Sequence, residues 1–433
     1  MSSARATALE ALVRIDGGAF THIVVPQLLA RSRLSPRDRA SVTAFVYGAV
    51  RMQGVLDDAL AGVSKRPLGE LDPPVRAALR LGAFQLFDGV APHAAVGETV
   101  SAAPERARSF VNGVLRGLAR TNPVWPVVDA DTPDADLGAI TSHPDWIARM
   151  LLEAFGRDDT VAMLHTDNRP PAVTLRPNPL RTNTSTLMAQ LGEAGVGARP
   201  GNLLADSIVL DAPRDPGALE AVRAGCATPQ DQASQAVVEA LDPQPGERVA
   251  DLAAAPGGKA TAAAEAMADT GIVVAADVHA GRIDLVRDGA ARLRLNAVVP
   301  IVADGRRPPL RERSFDRVLL DAPCSGLGVL RRRPDARWRI TEHDVHELAE
   351  LQRDLLARAA RLVRPGGRLV YSVCTITAAE TLAIDEWASG TLEGFEALAP
   401  PGAPWRAHGR GALLLPHDAD TDGMFVLSLQ APG

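Results

Sequence analysis

From Arg248 to the C-terminus, short and nearly wholly apolar runs alternate with longer stretches of helical periodicity, and no other feature of the chain restricts its fold so strongly. RVADL, GIVVAAD, AVVPIVAD, FDRVLLDAP and GRLVYSVCT lack the in–out alternation of a sheet with one wetted face. Separated by helices that run through Ala268, through Leu293 and up to Pro365-Gly366-Gly367, they predict a mostly parallel sheet covered on both sides, with MFVLSL as a last strand. The front of the chain follows the other period. Ser35-Pro36-Arg37-Asp38 is a helix start, with serine at N-cap, proline at N1 and a carboxylate at N3. Val42, Phe45, Val46, Ala49, Val50, Gln53 and Leu56 then recur at helical spacing, and further helices are expected over residues 74–87 and about 106–118. Residues 172–175, 184–194 and 207–210 read as strand, helix and strand after a short helix over 143–155. The expected architecture is an all-α domain over 1–135, a linker helix and small α+β subdomain over 136–228, and an α/β Rossmann-like domain over 229–433.

No apolar run approaches the length of about 18 residues that a membrane-spanning helix needs, and the first twenty residues lack the apolar core of a signal peptide. Cys226, Cys324 and Cys374 are the only cysteines, with no CxxC pair, so neither a disulfide framework nor zinc is expected, and the compartment is read as cytoplasmic. The net charge of −6 hides an asymmetry. Residues 1–120 carry 15 Lys+Arg against 10 Asp+Glu, and the remainder is strongly acidic. A basic front is compatible with an RNA partner met through local patches. Residues 121–142, with three prolines, four aspartates and no Lys or Arg, have the composition of a linker.

One crevice stands out. The strand ending in Asp251 runs through Ala253, Ala254, Ala255, Pro256, Gly257, Gly258 and Lys259 into a helix, a loop where glycines let a ligand approach the backbone. This is neither a dinucleotide GxGxxG nor a P-loop. The following strands end in Asp277, Asp304 and Asp321, and Asp277 stands where such sheets set a carboxylate on a ribose. Aspartate is also a good helix N-cap after a strand, which explains any one of them but not all of them together with the Gly-Gly loop. Acidic residues repel a pyrophosphate and suit a cationic sulfonium, so S-adenosyl-L-methionine is favoured over NAD. No metal is expected.

Cys324 follows the fourth strand in DAPCSG, and Cys374 ends the fifth in YSVCT. If those strands are neighbours, their ends lie about 5 Å apart and both thiols open beside the crevice. Free cysteines are most often packing residues, the reading kept for Cys226. A thiol beside a methyl donor has a specific use: added to carbon 6 of a pyrimidine, it makes carbon 5 nucleophilic enough to accept the methyl group.

At these residues the chain resembles the RNA (cytosine-5)-methyltransferases of the Nol1/Nop2/Sun family, and within it the bacterial Fmu/Sun-type 16S ribosomal RNA enzymes that carry a NusB-like N-terminal domain. RPNPLRTN, QDQASQ, DLAAAPGGK, DAPCSGLGVLRRRPDARW, YSVCT and LLPHDADTDGMF carry the likeness, with ARATALEALVRI and FVNGVLRGLAR in the NusB-like part. The family's loop usually reads CAAPGGK, and Ala253 stands here in place of its cysteine; DGMF stands for DGFF. The resemblance implies Cys374 as nucleophile, Cys324 as the group assisting product release, and residues 253–259 with Asp277, Asp304 and Asp321 as contacts to S-adenosylmethionine. It also implies 16S ribosomal RNA as partner, with no membrane and no obligate protein partner. The residues alone leave the two thiols interchangeable, since Pro323-Cys324 resembles the Pro-Cys nucleophile of DNA cytosine-5 methyltransferases.

Arg331, Arg332, Arg333, Arg337 and Arg339 crowd the segment after the Cys324 loop and are expected to meet RNA phosphates, unless they form a solvated charge run. In the front domain Phe110, Val111, Val114, Leu115 and Leu118 are expected to be core, with Arg106, Arg108, Arg116 and Arg120 as the contact candidates. Two other readings remain: an N- or O-methyltransferase on the same fold, and a non-catalytic NusB-like RNA-binding factor.

Overall fold

The computed structural model of the chain describes residues 3–433, which gather into two compact units: residues 3–170 with Leu330–Arg339, and Pro171–Val329 with Ile340–Gly433. The first unit is helical, as expected. It contains α1 (Ala4–Asp16), α2 (Thr21–Arg31), α3 (Pro36–Arg51), α4 (Gln53–Ala61), α5 (Pro73–Phe87), α6 (Pro92–Ala102) and α7 (Arg108–Arg120). Ser35 caps α3 by accepting a hydrogen bond from the Asp38 amide at 3.2 Å. The single long helix expected here is two, because Met52 leaves helical geometry (φ −96°, ψ 18°) between α3 and α4. α7 is amphipathic: Val111, Val114, Leu115 and Leu118 are buried, Phe110 packs against the same core, and Arg116 and Arg120 are exposed.

Residues 121–142 are not a free tether. Trp125 stacks on Phe87 with ring centroids 4.6 Å apart, and the short α8 (Leu137–Thr141) buries Leu137 completely. Aromatic burial outweighs a proline-rich composition here. The next helix, α9 (Asp145–Asp167), is broken at Gly156 (φ 74°, ψ 178°), which is where the sequence predicted an end.

Three of the five arginines in the segment after the Cys324 loop, Arg331, Arg337 and Arg339, require a correction, whereas Arg333 is exposed as expected. Leu330–Arg339 belongs to the helical unit, and Arg331 and Arg337 are buried there rather than offered to RNA. The Arg337 guanidinium donates to Ser142 O at 3.1 Å, Asp167 O at 3.2 Å and Asn168 Oδ1 at 2.9 Å. Arg339 donates to Gly18 O at 2.7 Å and lies over the Phe20 ring, 4.7 Å from its centroid. Trp338 donates its indole N–H to Val50 O at 2.9 Å. The last carbonyls of a helix have no partner within the helix and carry its negative pole, so cations and N–H groups at the ends of α1, α3, α8 and α9 satisfy both deficits. Burial pushes the neighbouring Asp167 up to about 7 against the pull of Arg337, Arg331 and Arg51. Residues 1–120 are therefore not a freely detachable module, since this later segment is part of their unit.

The second unit opens with a four-stranded antiparallel sheet in the order β2-β3-β1-β4. Its elements are β1 (Thr174–Pro177), α10 (Thr184–Glu193), β2 (Ala198–Pro200), β3 (Ile208–Leu210), α11 (Glu220–Arg223) and β4 (Ala227–Pro229). Leu175, Leu187, Leu191, Ile208 and Leu210 form its core. Beyond α12 (Gln232–Leu241) the large sheet begins: β5 (Arg248–Asp251), α13 (Gly258–Ala266), β6 (Ile272–Asp277), α14 (Ala280–Leu293), β7 (Val298–Val302), β8 (Phe315–Asp321), α15 (Glu342–Leu362) and β9 (Val363–Val373). After α16 (Leu382–Thr391) come β10 (Glu396–Ala397), β11 (Arg406–His408), β12 (Gly411–Leu414) and β13 (Met424–Gln430). The order is β11-β12-β13-β9-β8-β5-β6-β7; β7, β6, β5, β8 and β9 are parallel, and β13, β12 and β11 add an antiparallel edge. The hairpin β11–β12 carries no strong pattern in the sequence and was not expected.

Arg337→Ala would leave the carbonyls of Ser142 and Asp167 without their buried donor. Losing one side of such a charged cluster costs about 3–5 kcal/mol. Urea denaturation followed by tryptophan fluorescence should show that loss, and a change below about 1 kcal/mol would mean that the guanidinium is not holding the segment.

Candidate active site

Parallel pairing brings the carboxyl ends of β5, β6 and β8 to one edge, and these strands end in Asp251, Asp277 and Asp321. β7 stops at Val302, so Asp304 lies two residues past its strand. The four carboxylates differ in state. Asp251 is 1% exposed, with the Ala253 amide as a weak donor to it. Burial, then the charge of Asp321, pushes it up to about 7 against the pull of Lys259. Asp277 is buried, accepts the His279 amide at 2.9 Å and has Arg282 at 3.4 Å. Asp304 is held by Arg306, whose amide and guanidinium both donate to it (2.9 and 2.8 Å) and keep its carboxyl below the usual carboxylate range. Asp321 accepts from Lys259 Nζ at 2.7 Å and from Ser372 Oγ at 2.8 Å.

The loop between β5 and α13 is tightly laid. Ala254 and Ala255 are buried and Ala253 half-buried, whereas Pro256 is exposed. Gly257 has φ 105°, and a Cβ there would stand 3.1 Å from the Cα of Val286 on α14, so no other residue fits. Arg282 donates to Ala255 O at 2.6 Å from the far side. Arg176, in the RPNPLRTN motif on β1, donates to Gly258 O at 2.8 Å and Thr261 Oγ1 at 3.2 Å, pairs with Glu265 at 2.8 Å, and also meets Gln230. The motif was visible in the sequence, but this bracing of the loop helix was not.

β8 and β9 are adjacent, with Asp321 opposite Ser372, and the chain beyond each end carries a cysteine. Cys324 Sγ and Cys374 Sγ are 3.4 Å apart and both partly exposed. Cys226 lies away from them, between α11 and β4 of the small sheet. The thiols are not equivalent. The hydrogen bond with Cys374, then burial and the charges of Cys374, Glu380 and Asp321, push the Cys324 thiol well up. Burial opposes the charge of Lys259, yet Asp321, Cys374 and Asp251 hold it above the ordinary lysine range. Gly328 and Gly423, from the CSGLG and DGMF motifs, pack backbone to backbone: a Cβ on Gly328 would lie 2.5 Å from Gly423 O and 3.0 Å from Cys374 O.

Family comparisons match three stretches of the chain. Residues 2–120 match the NusB family, 143–216 the ferredoxin-like domain of RsmF/B-like methyltransferases, and 238–430 the 16S rRNA methyltransferase RsmB/F. The "Probable ribosomal RNA small subunit methyltransferase B" of Bacillus subtilis is 32% identical over 100% of this chain and 99% of its own length. The ribosomal RNA small subunit methyltransferase B of Sodalis glossinidius is 35% identical, over 84% of this chain and 83% of its own. The crystal structure of PH0851 superposes with a TM-score of 0.85 at 27% identity, covering 98% of both chains. The fold is that of a NusB-fused RNA methyltransferase. The chain belongs to the ribosomal RNA small subunit methyltransferase B family.

The state of Asp251 predicts a pH dependence. The folded chain keeps it protonated up to about pH 7, whereas an unfolded aspartate ionises near 4. Between these values the folded state holds the extra proton, so this group lowers stability as pH rises, by about 1.4 kcal/mol per unit. Asp251→Asn removes the effect. Denaturation at pH 5 and pH 8 should show the variant gaining on the parent chain at the higher pH, and parallel curves would refute the assignment.

Proposed function

We propose that this protein transfers a methyl group from S-adenosylmethionine to carbon 5 of a cytosine in 16S ribosomal RNA, with Cys374 as the attacking thiol and Cys324 assisting release. The observation that carries this reading is the 3.4 Å approach of two thiols beside the Lys259–Asp321 pair. Methylation of an amino nitrogen or a ribose oxygen has no use for a thiol. Carbon 5 of a pyrimidine does. The relatives' description as ribosomal RNA small subunit methyltransferases supports the choice of RNA.

The crevice fits a sulfonium nucleoside. The buried carboxyl of Asp251 suits a cationic ligand, and Asp277, at the end of the neighbouring strand, would meet its ribose. Ala253, Ala254, Ala255, Pro256, Gly257, Gly258 and Lys259 would border the same ligand, with Asp304 at the edge and Asp321 between the ligand and the thiols. The bound donor supplies an electrophilic methyl group.

In the proposed reaction the Cys374 thiolate adds to carbon 6, and the ring electrons move to carbon 5. Carbon 5 bonds to the methyl carbon as the carbon–sulfur bond of the donor breaks, its electron pair staying on sulfur. The proton on carbon 5 then leaves to a base. The electrons it leaves behind restore the ring double bond and expel Cys374 as thiolate. A free thiol ionises near 8.5, so the nucleophile needs help. The attraction between Lys259 and Cys374 is mutual: the charge that favours the ammonium also favours the thiolate. Cys324, its thiol pushed up, stays protonated and is the poorer nucleophile. On the helical unit, exposed Arg116 and Arg120 are available for RNA phosphates.

Two variants test the thiols. With substrate RNA and S-adenosylmethionine, Cys374→Ala should give no methylation and no covalent adduct. Cys324→Ala should add to RNA and transfer the methyl group, then stall, giving a retarded protein–RNA band on a denaturing gel. The reverse pattern would swap the roles. For the crevice, Asp277→Ala should weaken S-adenosylmethionine binding more than tenfold by calorimetry, since it removes charge-assisted hydrogen bonds worth about 1.5–3 kcal/mol each. Unchanged affinity would remove Asp277 from the site.

A further inference from the structure

We infer that Glu380 is a positioning residue that decides which of the two thiols attacks, by clamping the Cys324 loop to the strand end that carries Cys374 and keeping a negative charge beside that loop. The functional meaning rests on the proposed roles of the thiols; the geometry does not.

Glu380 is fully buried. Its Oε1 accepts from the Ser325 amide at 2.9 Å and from Gln352 Nε2 at 3.0 Å. Its Oε2 accepts from Ser325 Oγ at 2.5 Å, Thr377 Oγ1 at 2.9 Å and Thr375 Oγ1 at 3.1 Å. Ser325 follows Cys324, and Thr375 follows Cys374, so one carboxylate holds the residue next to each thiol. Gln352 extends the clamp, donating also to Pro323 O at 2.9 Å and accepting from the Tyr371 hydroxyl at 2.9 Å. The carbonyl of Glu380 accepts from the same hydroxyl at 2.8 Å. The donors that meet this carboxylate, an amide N–H, a side-chain amide and three hydroxyls, are all uncharged. After the hydrogen bond with Cys374, burial and the Cys374 charge, the Glu380 carboxylate is among the causes that push the Cys324 thiol up. The other groups facing Cys324 are Cys374 just past β9, Tyr371 on β9 and Asp321 at the end of β8, the last paired with Lys259 from α13. A carboxylate that keeps one thiol protonated, close to an ammonium that favours the thiolate of the other, breaks the symmetry between two cysteines in contact.

The test separates charge from packing. A chain carrying Cys226→Ser and Cys374→Ser has Cys324 as its sole cysteine. The rate of its alkylation by iodoacetamide against pH reports the acidity of that thiol. Glu380→Gln in this background should lower the midpoint by at least one pH unit, because glutamine keeps the shape and loses the charge. Thr377→Ala, which removes one hydroxyl donor and no charge, should leave the midpoint in place. An unmoved or raised midpoint in Glu380→Gln overturns the inference. Should that variant fail to fold, Ser325→Ala in the native chain gives an independent reading. It should reduce kcat for methyl transfer at least tenfold with the KM for S-adenosylmethionine unchanged, and an unchanged kcat overturns the inference. The failures are distinguishable: if the gel assigns attack to Cys324, the alkylation shift still stands, and if the shift is absent while the gel assigns Cys374, only the role of Glu380 falls.

Discussion

The parallel pairing of β8 with β9 fixes everything that follows at the site. Their register sets Asp321 opposite Ser372, and within two or three residues of that rung each chain segment delivers a thiol. Two groups separated by 50 residues in sequence then meet at 3.4 Å. A slip of one residue would turn Ser372 and Asp321 to opposite faces and pull the thiols apart. The structure guards the register with contacts on every side. Ser372 donates to Asp321 across the rung, Gly328 donates its amide to Cys374 O at 3.1 Å, and Glu380 gathers donors from both loops. The bare backbone contact of Gly328 with Gly423 leaves no room for any side chain.

Electrostatics then differentiates what geometry has made nearly equivalent. Asp251, Asp321, Lys259, Cys374 and Cys324 form a continuous run of titratable groups in which charges alternate in effect. Lys259 is shared between Asp321 and the thiol beyond it, and Asp251 is buried within reach of the Asp321 charge. A crevice with a deeply buried carboxyl at one end and a cation-supported thiol at the other is suited to a positively charged methyl donor on the first side and an electron-poor ring on the second.

Much of this was legible in the sequence because it rests on local signals. Apolar strands and their terminal aspartates mark the sheet and its crevice, and the glycines of the β5–α13 loop mark a close approach. The proximity of Cys324 to Cys374 followed from topology alone. What was not legible depends on partners distant in sequence. The arginines after Cys324 look like a cationic surface until the helix ends of another part of the chain take them up; charge composition cannot tell a guanidinium facing solvent from one satisfying orphan carbonyls. Trp125 turns a linker composition into a packed segment in the same way. Arg176 lay within a motif that said nothing of its partners. Glu380 did have a signal: Thr377 and Glu380 form the T-x-x-E pattern of a capping box, with the Thr377 hydroxyl on the carboxylate and the Glu380 amide 3.4 Å from that hydroxyl. Read only as a helix start, the pattern conceals that the same carboxylate reaches the loop after β8.

The central claim is that Cys374, and not its neighbour, forms the bond to the pyrimidine. RNA carrying 5-fluorocytidine tests this most directly, because fluorine at carbon 5 cannot leave as the proton does, and the adduct is trapped after methyl transfer. Peptide mass mapping of the trapped complex from the unaltered chain should find the nucleotide mass on the peptide containing Cys374. Finding it on the peptide containing Cys324, or finding no adduct while ordinary RNA is methylated at carbon 5, would contradict the account.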